Sequence, residues 1–68
     1  MDRRGKLGTK VRQLRQAKHL TQEELAFRSE IDLTYLGGIE RGRRNPSLLV
    51  MGRIADALRV GLTELVPD

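Results

Sequence analysis

Most of the side chains here that could act on another molecule are cations. Thirteen Lys+Arg stand against nine Asp+Glu, a formal charge of +4, and ten of the thirteen cations are Arg. Residues 1–47 hold eleven cations and six acids (+5), whereas residues 48–68 hold two cations and three acids (−1). A basic body with a near-neutral, apolar tail suits a polyanion on one side, nucleic acid foremost, and a protein on the other. Catalytic chemistry is poorly supplied. His19 is the single histidine and cysteine is absent, so a thiol nucleophile, a disulfide and a four-ligand structural zinc site are all excluded. Glu23-Glu24 spells a carboxylate pair that a helix start already explains, and neither a G-x-S-x-G nor a P-loop motif occurs. A chain of 68 residues also offers little with which to enclose a substrate cleft. The expectation is a protein without catalytic residue, cofactor, metal or small-molecule substrate: not an enzyme.

Helices must position whatever these cations bind. Leu7, Val11 and Leu14 fall at i, i+4, i+7, which predicts a helix over residues 7–18. Thr21 with Glu24 spells a capping box before Leu25-Ala26-Phe27, so a short second helix should follow and end near Ser29-Glu30. Asp32 is the next N-cap, for a helix from Leu33 to about Arg41, with Leu36 and Ile39 as its inward pair and Leu33 one turn earlier. Gly37-Gly38 in its middle costs about 1 kcal/mol per glycine relative to Ala, and Gly42 suits a left-handed helix end. Arg43-Arg44-Asn45-Pro46 reads as a loop. Ser47 caps a fourth helix, 48 to about 59, whose stripe Leu48, Met51, Ala55 and Leu58, with Ile54, faces a core. Thr63 to Val66 gives a last helical turn before Pro67. The prediction is all-α: four helices and a fragment, one domain over residues 1–68, with residues 1–6 readable as a basic arm on DNA or, as is commoner, a disordered terminus.

The second and third helices, joined across Glu30-Ile31-Asp32, have the proportions of a helix-turn-helix, in which the second helix enters a DNA major groove. An ordinary helical corner has the same proportions. The residues themselves are more specific. Thr21-Gln22-Glu23-Glu24-Leu25-Ala26, Leu33-Thr34-Tyr35-Leu36 and Gly38-Ile39-Glu40-Arg41-Gly42-Arg43-Arg44-Asn45-Pro46-Ser47 resemble the Cro/repressor (XRE) helix-turn-helix family. Val11-Arg12-x-Leu14-Arg15 and Ile54-Ala55-x-Ala57-Leu58-x-Val60 extend the likeness over residues 7–66. Asp32-Leu33-Thr34-Tyr35 with Gly38-Ile39-Glu40-Arg41-Gly42 is most similar to the controller proteins of restriction–modification systems.

That resemblance implies a compact five-helix repressor-like domain with a central helix-turn-helix, binding double-stranded DNA as a two-fold dimer on a pseudo-palindromic operator. It places Leu33, Thr34, Gly37 and Gly38 toward base edges. Leu33 offers only apolar contact, for instance with a thymine methyl, and Thr34 can hydrogen-bond or use its methyl. The two glycines permit close approach to the groove, or else tight packing between helices. No bidentate guanine reader lies in the helix centre, so DNA shape should matter more than usual. Gln22 is placed for a phosphate and as a buttress of the recognition helix; a solvated helix-start residue is the plainer alternative. Tyr35 reads as a phosphate contact or a half-buried cap, and Arg41, Arg43 and Arg44 as phosphate contacts or a solvated charge run, with Arg43 or Arg44 able to reach a base. Asn45 and Ser47 join the phosphate set. Arg15 and Glu40 match positions forming an internal ion pair in the family.

Residues 48–66 carry the argument for association. Leu49, Val50 and Ala57 lie off the core stripe, and Leu62, Leu65 and Val66 add more apolar area than one helical turn can hide. These six are the expected dimer interface, a fully intramolecular core being the alternative. The longest apolar run, Leu48-Leu49-Val50-Met51, is far below the ~20 residues of a membrane span, so a cytoplasmic protein without membrane contact is expected. Two rival functions stand beside the DNA-binding regulator: an antitoxin-type module whose apolar C-terminal face takes a partner protein, and an interaction adaptor that does not read DNA.

Overall fold

The computed structural model describes residues 3–66, with the backbone alone for Arg3 and Arg4. Four α-helices follow one another: α1 (Arg3–Ala17), α2 (Gln22–Ser29), α3 (Leu33–Glu40) and α4 (Leu48–Leu58). A single 3₁₀ turn, Leu62–Glu64, comes after them, and no strand occurs among the described residues. The fifth helix expected from the family resemblance is therefore corrected to one tight turn. Three residues intervene before Leu65 drops into the core, too few for a continued i→i−4 ladder. Helix α1 opens four residues ahead of Leu7, so residues 3–6 of the expected arm form its first turn. Met1 and Asp2, and the stop expected at Pro67, lie outside the described residues.

The starts of α2, α3 and α4 each have a side-chain oxygen on the otherwise unpaired N–H groups of the first turn. Thr21 Oγ1 accepts from the Glu24 N–H at 3.0 Å while Glu24 Oε1 accepts from the Thr21 N–H at 2.9 Å, a reciprocal capping box. Asp32 Oδ2 accepts from the Thr34 and Tyr35 N–H groups at 2.9 and 3.3 Å. Ser47 Oγ accepts from the Val50 N–H at 3.2 Å.

The helix ends share one device. His19, Glu30, Gly42 and Arg59 are left-handed, with φ of 59°, 58°, 77° and 58°. The residue after each sends its N–H back five positions: Leu20 to Arg15 O, Ile31 to Ala26 O, Arg43 to Gly38 O and Val60 to Ala55 O, at 2.8–3.1 Å. These are Schellman closures, and their usual apolar partner is present, since Leu20, Ile31 and Val60 pack against the core. Only Gly42 betrays the device in the sequence.

The core is Leu7, Val11, Leu25, Ala26, Leu36, Ile39, Ile54, Ala55, Leu58 and Leu65. Helix α2 packs on α4 and α1 on α3, with the α2–α3 corner between them. Three apolar assignments change. Leu33, expected one turn before the inward pair of α3, is 42% exposed at the first residue of its helix. Leu48, expected in the core stripe of α4, is 69% exposed, because at the first residue of the helix no neighbour covers that stripe. Leu65, expected at an interface, is fully buried at 0% exposure, being carried inward by the 3₁₀ turn. Gly8 explains how α1 reaches α3: a Cβ there would strike the Ile39 carbonyl oxygen and lie 2.7 Å from that of Glu40. Only glycine permits this approach of two backbones.

Candidate nucleic-acid interface

Helix α3 has a buried side and an outward side. At about 100° per residue, Leu33, Thr34, Gly37, Gly38 and Arg41 share one face, opposite buried Leu36 and Ile39. The first turn is open to solvent: Leu33 is 42% exposed and Thr34 is exposed, while Tyr35 is half-buried against the core. The next turn differs from expectation. Gly37 and Gly38 are both buried and present no free surface. Arg41 Nη1 lies 3.1 Å from where a Gly37 Cβ would stand, and Arg44 Cγ 2.6 Å from the corresponding point on Gly38. The glycines thus lie beneath two arginine side chains. With no Cβ in the way, the Arg41 guanidinium lies over Gly37 and the aliphatic stem of Arg44 over Gly38.

The loop that carries these arginines is fixed by the backbone. The Gly38 carbonyl accepts from the N–H groups of Arg43 and Arg44, at 2.8 and 3.2 Å, across left-handed Gly42. Arg41, Arg43, Arg44, Asn45 and Ser47 are exposed, and the Ser47 hydroxyl already serves the α4 cap.

One buried carboxylate sets the orientation of α3. Glu40 Oε2 accepts from Arg15 Nε at 2.7 Å, and Oε1 accepts from Arg15 Nη2 and Gln22 Nε2, each at 3.0 Å. The Glu40 side chain is 2% exposed and that of Arg15 12%. Arg15 Nη1 also donates to the Leu20 carbonyl at 2.9 Å, tying in the α1–α2 connection. Gln22 therefore does buttress α3. One of its two amide N–H bonds is committed to Glu40, so any phosphate contact falls to its remaining groups.

Two adjoining open clefts follow the seam of α1 and α3. One is lined by Thr9, Arg12, Gln13, Gln16 and Glu40, the other by Arg12, Arg15, Gln16, Gln22, Glu40 and Arg41. With Glu40 neutralised by Arg15, the exposed charges left there are Arg12 and Arg41. Sequence reasoning passed over Arg12 and Gln16, although their i, i+4 spacing places them one above the other on the polar side of α1. It also passed over Phe27, whose side chain is 86% exposed on α2.

The six residues expected at an interface separate. Leu49 and Val66 are exposed; Val50, Ala57 and Leu62 are half-buried and packed on the core; Leu65 belongs to the core outright. Exposed Leu48 joins the outer group. Among the described residues no three His, Asp or Glu side chains cluster as metal ligands, and no helix is long and apolar enough to cross a membrane.

Comparison with known proteins gives a consistent result. Residues 11–65 match the helix-turn-helix family HTH_3. The chain is 46% identical over 66 residues to the uncharacterized HTH-type transcriptional regulator y4dJ of Sinorhizobium fredii, covering 97% of this chain and 86% of that one. Its backbone superposes on the restriction-modification controller protein C.AhdI of Aeromonas hydrophila with a TM-score of 0.90 and 48% identity, covering 91% and 94% of the two chains. It is also similar to the controller protein C.Esp1396I, solved as a tetramer with its natural 35-base-pair operator. There the TM-score is 0.84 and the identity 34%, over 90% of this chain and 80% of that one.

Proposed function

This chain belongs to the helix-turn-helix family, and from that membership we propose that it is a sequence-specific, DNA-binding transcriptional regulator of controller type, acting as a homodimer on a pseudo-palindromic operator. The observation that carries the reading is the likeness, in sequence and backbone, to controller proteins, one of them solved on its operator. Local geometry supports it. The first turn of α3 is open for base edges, and Arg41, Arg43 and Arg44 follow the other end of that helix, with Arg12 beside Arg41, as phosphate ligands. Asn45 and the free groups of Gln22 join them, while Tyr35 and Ser47 contribute less because packing and capping already hold them.

Two copies are needed for geometric reasons. Successive major grooves on one face of DNA lie about 34 Å apart, and the longest dimension of this chain is 27 Å. The exposed apolar residues Leu48, Leu49 and Val66 are the candidates for the two-fold contact. The family consists of transcription regulators and not of enzymes, and the site of action is the cytoplasm. No observation favours the antitoxin or adaptor alternatives.

Selection of bound duplexes from a random library at about 0.15 M salt tests the reading. The expected product is an inverted repeat with half-sites about one helical turn apart, bound with a log–log salt slope near −5 if about six phosphates are contacted. A flat salt response and no recovered sequence would remove the function proposed here.

A further inference from the structure

The surface that α3 offers to a base edge is unusually apolar. In a helix-turn-helix the N-terminal residues of the second helix reach the bases, and here that turn contains Asp32, Leu33, Thr34 and Tyr35. Asp32 caps the helix, its Oδ2 accepting from the Thr34 and Tyr35 N–H groups, and Tyr35 is half-buried against the core. One turn on, Gly37 and Gly38 lie beneath Arg41 and Arg44. Of the side chains in the first two turns, Leu33 and Thr34 remain open, with Leu33 at 42% exposure and without any hydrogen-bonding group.

The major groove presents one apolar group on its base edges, the C5-methyl of thymine. A leucine placed against any other edge desolvates a donor or acceptor without replacing its hydrogen bond. We infer that Leu33 is a specificity-determining residue that reads a pyrimidine C5-methyl group, so that one position in each operator half-site is recognised by its methyl and not by its hydrogen-bonding pattern. This rests on the operator-reading function above and adds the chemical group that is read. Because 5-methylcytosine carries its methyl at the same place on the base as thymine, the position responds to cytosine methylation as well.

The duplex recovered by the selection above is the probe, resynthesised with uracil in place of one thymine at a time. Uracil differs from thymine by the methyl alone. One buried methyl is worth about fourfold in affinity, so wild-type protein should lose about fourfold at one position per half-site and about fifteenfold when both symmetric positions are changed. At that position 5-methylcytosine should bind more tightly than cytosine by a similar factor. Leu33→Ala should bind the thymine and uracil duplexes equally. Unchanged helical content by circular dichroism would show that the variant is folded, and uracil scanning of the wild-type protein needs no variant at all. Operator binding that is indifferent to every uracil overturns the inference and leaves the regulator reading intact. Full methyl dependence in folded Leu33→Ala also overturns it, and assigns the methyl to Thr34. Failure to recover any operator overturns the regulator reading and this inference with it.

Discussion

Glu40 takes hydrogen bonds from two other helices, so a single carboxylate holds the recognition helix in place. Breaking one side of such a buried pair leaves an uncompensated charge and costs about 3–5 kcal/mol. A domain of this size has total stability of only about 5–10 kcal/mol. Arg15→Ala is therefore expected to lower the urea midpoint sharply or unfold the chain, while its folded fraction keeps the wild-type sequence preference. Normal stability with altered preference would refute that role. Gly8 gives a second residue-scale test, because helix propensity and packing predict opposite signs. Alanine in place of glycine in a helix ordinarily gains about 1 kcal/mol. At Gly8 the new Cβ meets the backbone carbonyls of Ile39 and Glu40, which have little freedom to move. Gly8→Ala should therefore destabilise, by about 3 kcal/mol at the upper end of overpacking costs, read as a fall in the chemical denaturation midpoint.

The helices are short, and their ends carry much of their definition. Three of the four left-handed helix ends are not glycine: His19, Glu30 and Arg59. A residue with a Cβ in that conformation costs about 1–2 kcal/mol. Arg59→Gly should therefore raise stability by about 1 kcal/mol, a gain of about 4–8 °C in Tm for a domain of this length, with DNA binding unchanged. At the start of α2, hydrogen bonds from the Thr21 backbone and side chain, with a smaller contribution from the Arg28 charge, hold the Glu24 carboxyl below the ordinary glutamate range. A folded pKa lower than the unfolded one gives stability that is present above the unfolded value and lost as pH falls through the folded value. The acid limb of a denaturation–pH profile should consequently flatten in Glu24→Gln, the variant being less stable than wild type near neutrality and converging with it at low pH.

On the scale of the whole molecule, the proposed function assigns DNA contact to exposed cations of α1 and the α3–α4 loop, and association to the exposed apolar residues Leu48, Leu49 and Val66. Leu49→Glu tests that division, since Leu49 lies outside the core. Sedimentation at micromolar concentration should shift from about twice the chain mass toward the monomer, and operator affinity should fall with it, while helical content is retained. Dimers persisting at wild-type strength would place the contact elsewhere, and exposed Phe27 would be the next surface to alter.

The sequence alone determined the features that depend on neighbours a few residues apart. Thr21, Asp32 and Ser47 announced three helix starts because capping involves side-chain oxygens within three residues of the groups they satisfy. Gly42 announced a helix end, and the linked motifs announced the family and its corner. Tertiary structure alone decided what depends on distant segments meeting. That Leu65 is core and Leu48 is surface follows from where α4 and the 3₁₀ turn find neighbours, and periodicity cannot report this. That Gly8 seats α3, and that Gly37 and Gly38 seat Arg41 and Arg44, follows from which atoms arrive above each glycine. A missing side chain spells the same letter whether it admits DNA, a helix or an arginine, and only the folded chain brings one of them there.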